Sequence, residues 1–440
     1  MKRTLVILIC ALLLLSGCAG ENTEAAQEPE ETVPETEITA PAETPPPTAT
    51  PPTATPEPTP LPEGPGQSAA EQLELVLDTD ETAAKRLLDG VYQTDYTFEA
   101  GTEITLSAEE EIGSLYLIFG TYPGEWTLSV GDETLRCGTE GFLHEYVQLP
   151  RGAKSVTICL PAAYDVMIRD LYAFTEGYPP DFVQTWSNLE DGADILVFST
   201  HTDDELLWFG GLIPYYSMVR GLKVQVVYMT SNYMTDFQDY RFRPHEALNG
   251  LWVAGTHYYP VTNEVGDYMC YDYWNAVNTY GANQFTEFQV EQIRRFKPLV
   301  VVTQSEDGEY GHGAHILCAY SVEAAVKAAA NREQFTDSAE KYGVWNTPKT
   351  YLHKYGSEEN MTWLSYENEA PELGWRTPFA VAQEAYRQHL TQQQWEGFYV
   401  ASFGHPQDSH QFGLYRSLVG PDTEKNDLME HVSRELFPID

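Results

Sequence analysis

ADILVFST, residues 193–200, runs straight into His201–Thr202–Asp203–Asp204–Glu205. The first stretch is almost continuously apolar, as expected of a strand buried on both faces. The second places an imidazole and three carboxylates in five residues directly after that strand. Downstream, LKVQVVYMT (222–230) reads as a second strand, 240–254 as a helix and THYYPV (256–261) as a third strand. FQVEQIRRF (288–296) is an amphipathic helix, PLVVVTQ (298–304) another buried strand and ILCAYSVEAAVKAAA (316–330) a strong helix. This alternation predicts an α/β domain over 178–440, with a mostly parallel sheet, right-handed crossovers and flanking helices. Ligands of such sheets gather at the carboxyl ends of the strands. No G-x-G-x-x-G follows the first strand and no Walker loop occurs, which disfavours dinucleotides and nucleoside triphosphates.

Upstream the period changes to two. ITLSA (104–108), SLYLIFG (114–120), EWTLSV (125–130), EYVQL (145–149), SVTICL (155–160) and VMIRDLYAF (166–174) read as short strands separated by Gly, Pro and Asp. They predict a small jelly-roll-like β-sandwich domain over 67–177, either a carbohydrate-binding module or a spacer. Before it, residues 21–66 hold 13 of the 28 prolines, ten Glu and no Lys or Arg. Such a stretch builds no core and samples extended polyproline II. With Cys18–Gly20 it forms a tether over 18–66. Met1–Lys2–Arg3, an apolar run of 12 from Thr4 to Leu15, and Leu15–Ser16–Gly17–Cys18 resemble a lipoprotein leader and lipobox. The expectation is a signal peptide over 1–17, a lipid on Cys18 and residence on the extracytoplasmic face of a bacterial membrane. The lipid anchor would be the only membrane contact.

The 440 residues carry 25 Lys and Arg against 66 Asp and Glu, a net charge of −41. That balance excludes ordinary phosphate-neutralising nucleic-acid binding and electrostatic docking on anionic lipid. Beyond the leader region stand Cys137, Cys159, Cys270 and Cys318. They are too few for a disulfide scaffold, though a pair such as Cys137–Cys159 stays open.

A second cluster follows the strand at 298–304: Ser305–Glu306–Asp307–Gly308–Glu309–Tyr310–Gly311–His312–Gly313–Ala314–His315. Both clusters lie beyond strand ends, so they can converge across the 114 positions between His201 and His315. A catalytic zinc needs three His or carboxylate ligands and an open position. A capped helix start with a nearby His is the bland alternative for 201–205. It accounts for one or two of the acids and not for the set. Phe403–Gly404–His405–Pro406–Gln407–Asp408–Ser409–His410 looks like another metal motif or a loop at the pocket rim. His144, His257, His353, His389 and His431 stand alone and read as packed or exposed. Trp208 and the tyrosines around 268–280 suit sugar stacking or a core.

At these two clusters the chain resembles the PIG-L/LmbE-like zinc de-N-acetylases, which carry a His-Pro-Asp-Asp-Glu signature and a later Gly-His-Pro-Asp-His-like one. The resemblance extends over roughly 190–440, including 240–255 and 414–431. It implies a Rossmann-like, mostly parallel sheet and Zn2+ held by His201, Asp204 and His315. Asp203 would act as general base toward the attacking water, with His312 and Tyr310 on the oxyanion side and Arg243 on the substrate. A surface salt bridge to Glu246 or another acid is the alternative for Arg243. Thr202 stands where the family has Pro, and Gly313–Ala314 where it has Pro–Asp. The implied function is removal of acetyl from an N-acetylglucosamine-type amino sugar on an extracytoplasmic glycan or glycoconjugate. Two rivals share the sequence evidence: a non-catalytic glycan-binding lipoprotein with a degenerate zinc site, and a zinc amidase for a non-sugar amide.

Overall fold

The computed structural model describes residues 69–231, 241–395 and 397–439. The leader, Cys18 and the tether lie outside the described residues. Those described belong to one compact unit.

The strands are β1 (Val76–Asp78), β2 (Tyr96–Phe98), β3 (Glu103–Phe119), β4 (Trp126–Val130), β5 (Glu133–Cys137), β6 (His144–Cys159) and β7 (Val166–Phe174) in the first sheet. In the second they are β8 (Ile195–Ser199), β9 (Val224–Tyr228), β10 (Val261–Thr262), β11 (Val300–Thr303), β12 (Lys349–His353), β13 (Met361–Trp363) and β14 (Gln411–Ser417). The helices are α1 (Glu81–Leu87), α2 (Asp204–Leu207), α3 (Leu212–Pro214), α4 (Arg243–Val253), α5 (Tyr273–Tyr280), α6 (Ala282–Phe296), α7 (Gly313–Ala328), α8 (Thr336–Tyr342) and α9 (Pro378–Tyr386).

The first sheet corrects the expected sandwich. Its order is β2-β7-β3-β6-β4-β5 with β1 on β3, all antiparallel and in one sheet. The segments ITLSA and SLYLIFG are two halves of the 17-residue β3, and EYVQL and SVTICL two halves of the 16-residue β6. Charged Glu109–Glu111 looked like a break. The strands instead stay paired through register shifts between Ser107 and Ser114. Such bulges bend a strand without ending it, so the sheet curls on itself, and among the described residues no second sheet faces it.

The second sheet corrects the mostly parallel Rossmann-like expectation. Its order is β10-β9-β8-β11-β12-β14-β13, and it is mixed. β9, β8, β11 and β12 run parallel and are buried along their whole lengths. β14 then enters antiparallel between β12 and β13, and β13 is antiparallel to it. From β13 the chain passes through α9 and comes back as β14 between β12 and β13. β10 is only Val261–Thr262, so most of THYYPV is not strand.

Among the described residues no separate β-sandwich is present. One apolar cluster joins Leu117 and Leu128 of the first sheet to Trp186, Leu206, Leu248 and Leu251. A buried polar chain crosses at the same place. Arg169 Nε donates to His245 Nε2 at 3.0 Å, His245 Nδ1 meets His144 Nε2 at 2.9 Å, and His144 Nδ1 meets Tyr116 Oη at 3.0 Å. The four cysteines are free thiols. Cys137 and Cys159 lie on β5 and β6, on opposite sides of β4, too far apart to bridge.

Candidate metal centre and active site

Strand order places the site. β8 leads to β9 on one side, while β11 lies on its other side. A crevice opens at such a reversal, beyond the carboxyl ends of the strands. The turn after β8 delivers His201–Asp204, and the segment after β11 delivers Glu309–His315.

There, His201 Nδ1 is 2.9 Å and His315 Nε2 is 3.1 Å from Asp204 Oδ2, and the two nitrogens are 3.1 Å apart. Asp204 is held on every side: Trp208 Nε1 donates to Oδ1 at 2.7 Å, and His201 N and Gln304 Nε2 to Oδ2 at 2.8 and 3.1 Å. His312 adds a third imidazole, and ring nitrogens of His201, His312 and His315 lie within 4.8 Å of one another. Among the described residues this is the one group of three or more such side chains that could hold a metal. His405 and His410 are not part of it.

The charge balance suits a cation. Asp203, Asp204, Asp267 and Glu309 surround the imidazoles and Arg243. Burial works against a charge on His315, yet Asp204 and Glu309 carry its pKa up to about 10. A site that draws a proton onto a buried ring favours positive charge there. Burial would raise Asp204, but His315 and His201 hold it well below the usual carboxylate range. Burial and the two neighbouring histidines push His312 down to about 2, and its Nδ1 has no hydrogen-bond partner. It is a neutral ring, as expected with Ala314 in place of an acid.

Asp203 differs from Asp204. Burial, then repulsion from Asp204, raises its pKa to about 7, with Arg243 opposing. Its backbone is forced to φ 134°, a region that L-residues avoid. Asp203 N donates to Glu205 Oε2 at 2.9 Å, and Arg243 pairs with Asp203 Oδ1 at 3.2 Å. Arg243 also donates to Thr202 O and lies 3.9 Å from Asp267 Oδ2. Glu246 receives Thr391, and the acids that Arg243 pairs with are Asp203 and Asp267, with Arg243 itself buried.

These groups line a cavity of about 210 Å³, whose apolar lining comes from Leu207, Met269, Trp395 and Phe398. Tyr310, half exposed, stacks on His312 at 5.6 Å between ring centres and meets Trp208 at 5.8 Å. A wider hollow of about 560 Å³ between α6 and α8 is lined by Glu287, Glu291 and Lys341 and no histidine. The chemistry belongs to the smaller cavity.

All seven site residues expected from sequence therefore converge. Sequence reasoning missed Asp267, 3.4 Å from His201 Nε2, and Gln304, whose Nε2 holds Asp204. Asp267 sits in an aperiodic loop that offers no signal. Gln304, the last residue of PLVVVTQ, could have been found by asking what the strand end presents.

Residues 196–326 match the profile of the family described as PIG-L: GlcNAc-PI de-N-acetylase. That segment has a PIG-L-like fold and contains every residue of the metal cluster. The chain is 32% identical over 153 residues to the 1D-myo-inositol 2-acetamido-2-deoxy-alpha-D-glucopyranoside deacetylase of Corynebacterium kroppenstedtii. The match covers 29% of this chain and 39% of that relative. Among solved structures, N,N'-diacetylchitobiose deacetylase from Pyrococcus horikoshii is similar at 17% identity and a TM-score of 0.35, over 46% of this chain and 71% of that one. The conserved protein TT1542 from Thermus thermophilus is similar at 17% identity and a TM-score of 0.33, over 46% and 80%.

Proposed function

We propose that the protein is a zinc-dependent hydrolase that removes acetyl from an N-acetylglucosamine-type amino sugar on an extracytoplasmic glycan. The observation that carries this reading is the convergence of His201 Nδ1, Asp204 Oδ2 and His315 Nε2 beside Asp203, whose carboxylate pairs with Arg243. His201, Asp204 and His315 would hold zinc, which when bound supplies a Lewis acid for the amide carbonyl and acidifies water. Asp203, steered by Arg243, takes the proton from the attacking water. Tyr310 and His312 line the same cavity, stacked on each other, and their hydroxyl and imidazole can donate to the developing oxyanion. Arg243 reaches Asp203 and Asp267 at the cavity wall and can meet a sugar hydroxyl from the same position. The lipobox-like leader adds location: a lipid on Cys18 and the tether would hold the enzyme on the outer face of the membrane.

The test is acetate release from a panel of N-acetylated sugars and wall fragments, with and without a chelator and with zinc restored. Zinc-restored release from sugars supports the reading. Release only from non-sugar amides favours an amidase, and stoichiometric zinc without release from any amide sinks the enzyme reading. Cys18→Ala is expected to move the protein out of the membrane fraction while leaving the rate unchanged.

A further inference from the structure

Among the described residues no metal-ligand group forms at Phe403–His410, yet the segment leads back to the His201–His315 cluster. Glu309 is buried, and its carboxylate is divided between two imidazoles. Oε2 lies 2.9 Å from His315 Nδ1 and Oε1 2.8 Å from His353 Nδ1. Oε1 also accepts Ser305 N at 3.1 Å. His353 ends β12, the neighbour of β11, and is itself fully enclosed. Its Nε2 donates to the carbonyl of Asp408 at 2.9 Å. That carbonyl is fixed because the Asp408 carboxylate receives Gly404 N at 2.7 Å, His410 N at 2.9 Å and His410 Nδ1 at 2.7 Å.

We propose that Glu309 and His353, braced by the 404–410 loop, are positioning residues that set the tautomer and aim of His315 toward the metal. A carbonyl only accepts, so the His353 hydrogen on Nε2 is committed to Asp408. The contact between His353 Nδ1 and Glu309 then holds one proton between them. Glu309 is left with a lone pair for His315 Nδ1–H, which forces the lone pair of His315 onto Nε2, the atom facing Asp204 and His201. A carboxylate behind a ligating imidazole raises its donor strength and fixes its ring. Water cannot replace Glu309, because His315 is completely enclosed. The proposal rests on His315 being a zinc ligand.

Zinc affinity of the full chain, measured by competition with a chromophoric chelator alongside the melting temperature of the metal-free protein, tests it. His353→Phe keeps an aromatic ring and removes both ring nitrogens, and is expected to weaken zinc about 10–100-fold, the usual range for such outer partners. His353→Asn restores a donor close to Nδ1 and is expected to recover most of that loss, which a purely packing role would not predict. Should His353→Phe fail to fold, Glu309→Gln gives the same readout. A folded His353→Phe or Glu309→Gln that binds zinc as tightly as the wild type overturns this proposal alone. A wild type that binds no zinc overturns the deacetylase reading with it.

Discussion

Asp203 and Asp204 are adjacent in sequence and opposite in circumstance. Asp204 is clamped by Trp208, Gln304 and its own turn, with its Oδ2 between two imidazoles. Asp203 is twisted away by its φ of 134° and pairs with Arg243. The two Asn variants should therefore diverge. Asp204→Asn loses an anionic ligand and is expected to lose zinc. Asp203→Asn keeps size and hydrogen bonding, so zinc stays near stoichiometric while turnover falls about 10²–10⁴-fold, the scale of general base catalysis. Metal analysis beside steady-state rates checks both. Reversed outcomes would mean exchanged roles, and two unaffected variants would reduce the cluster to a helix cap. The imidazoles and carboxylates of this site were legible because the chemistry needs those residue types next to strand ends. The strain at Asp203 was not, because φ at a non-glycine residue leaves no mark in sequence.

At the scale of elements, the Gly313–Ala314 departure from the family's Pro–Asp has a local cause. The segment that contains Asp267 and Cys270 passes against the start of α7. Gly313 N donates to Cys270 O at 2.9 Å, and a Cβ on Gly313 would stand 2.0 Å from Asp272 O. Proline there would lack the N–H and clash. Gly313→Ala is expected to cost about 1–3 kcal/mol through this overlap and to lower the rate by shifting Asp267. Thermal melting and kcat measured together check it, and an unshifted melting temperature would show that the loop yields freely. Ala314 lies in the apolar cluster with Leu317 and Cys318, which is why the missing acid leaves no hole. The elements read best from sequence were β8, β9, β11 and α7, whose long apolar runs have one solution. β3 and β6 were split because charged Glu109–Glu111 and Arg151 mimic turns, while the pairing that carries the strands through them is non-local. The antiparallel β13 and β14 were missed for the same reason: nothing in a short strand's own sequence names its neighbour.

Across the whole molecule, the expected division at residue 178 is bridged by a hydrogen-bond chain with a definite direction. Arg169 donates to His245, His245 to His144, and His144 to Tyr116, so each imidazole has one hydrogen and both are neutral. Burial, with the Arg169 charge beside it, holds His144 down to about 3, and burial and His144 hold His245 well below its ordinary value. Below pH about 6.5 the unfolded chain takes up protons that the folded chain refuses, so stability falls as pH drops from there toward 3. His144→Gln should shrink the loss between pH 7 and 5, read from urea midpoints, by about 2 kcal/mol. An unchanged pH dependence would place the acid sensitivity elsewhere. The same chain decides what a fragment beginning at residue 178 will do. It would strip Arg169 and His144 from His245, leaving a buried ring on α4 without partners, and α4 also carries Arg243 into the site. It would also uncover the apolar cluster from Trp186 to Leu251, which the first sheet now covers. Exposed contiguous apolar surface of this kind drives association. The fragment is therefore expected to be insoluble, or to unfold without a cooperative transition and without stoichiometric zinc, whereas the chain from residue 69 keeps all three properties. A soluble 178–440 fragment that melts cooperatively and binds zinc would show that the curled sheet is an appendage and not part of the catalytic body.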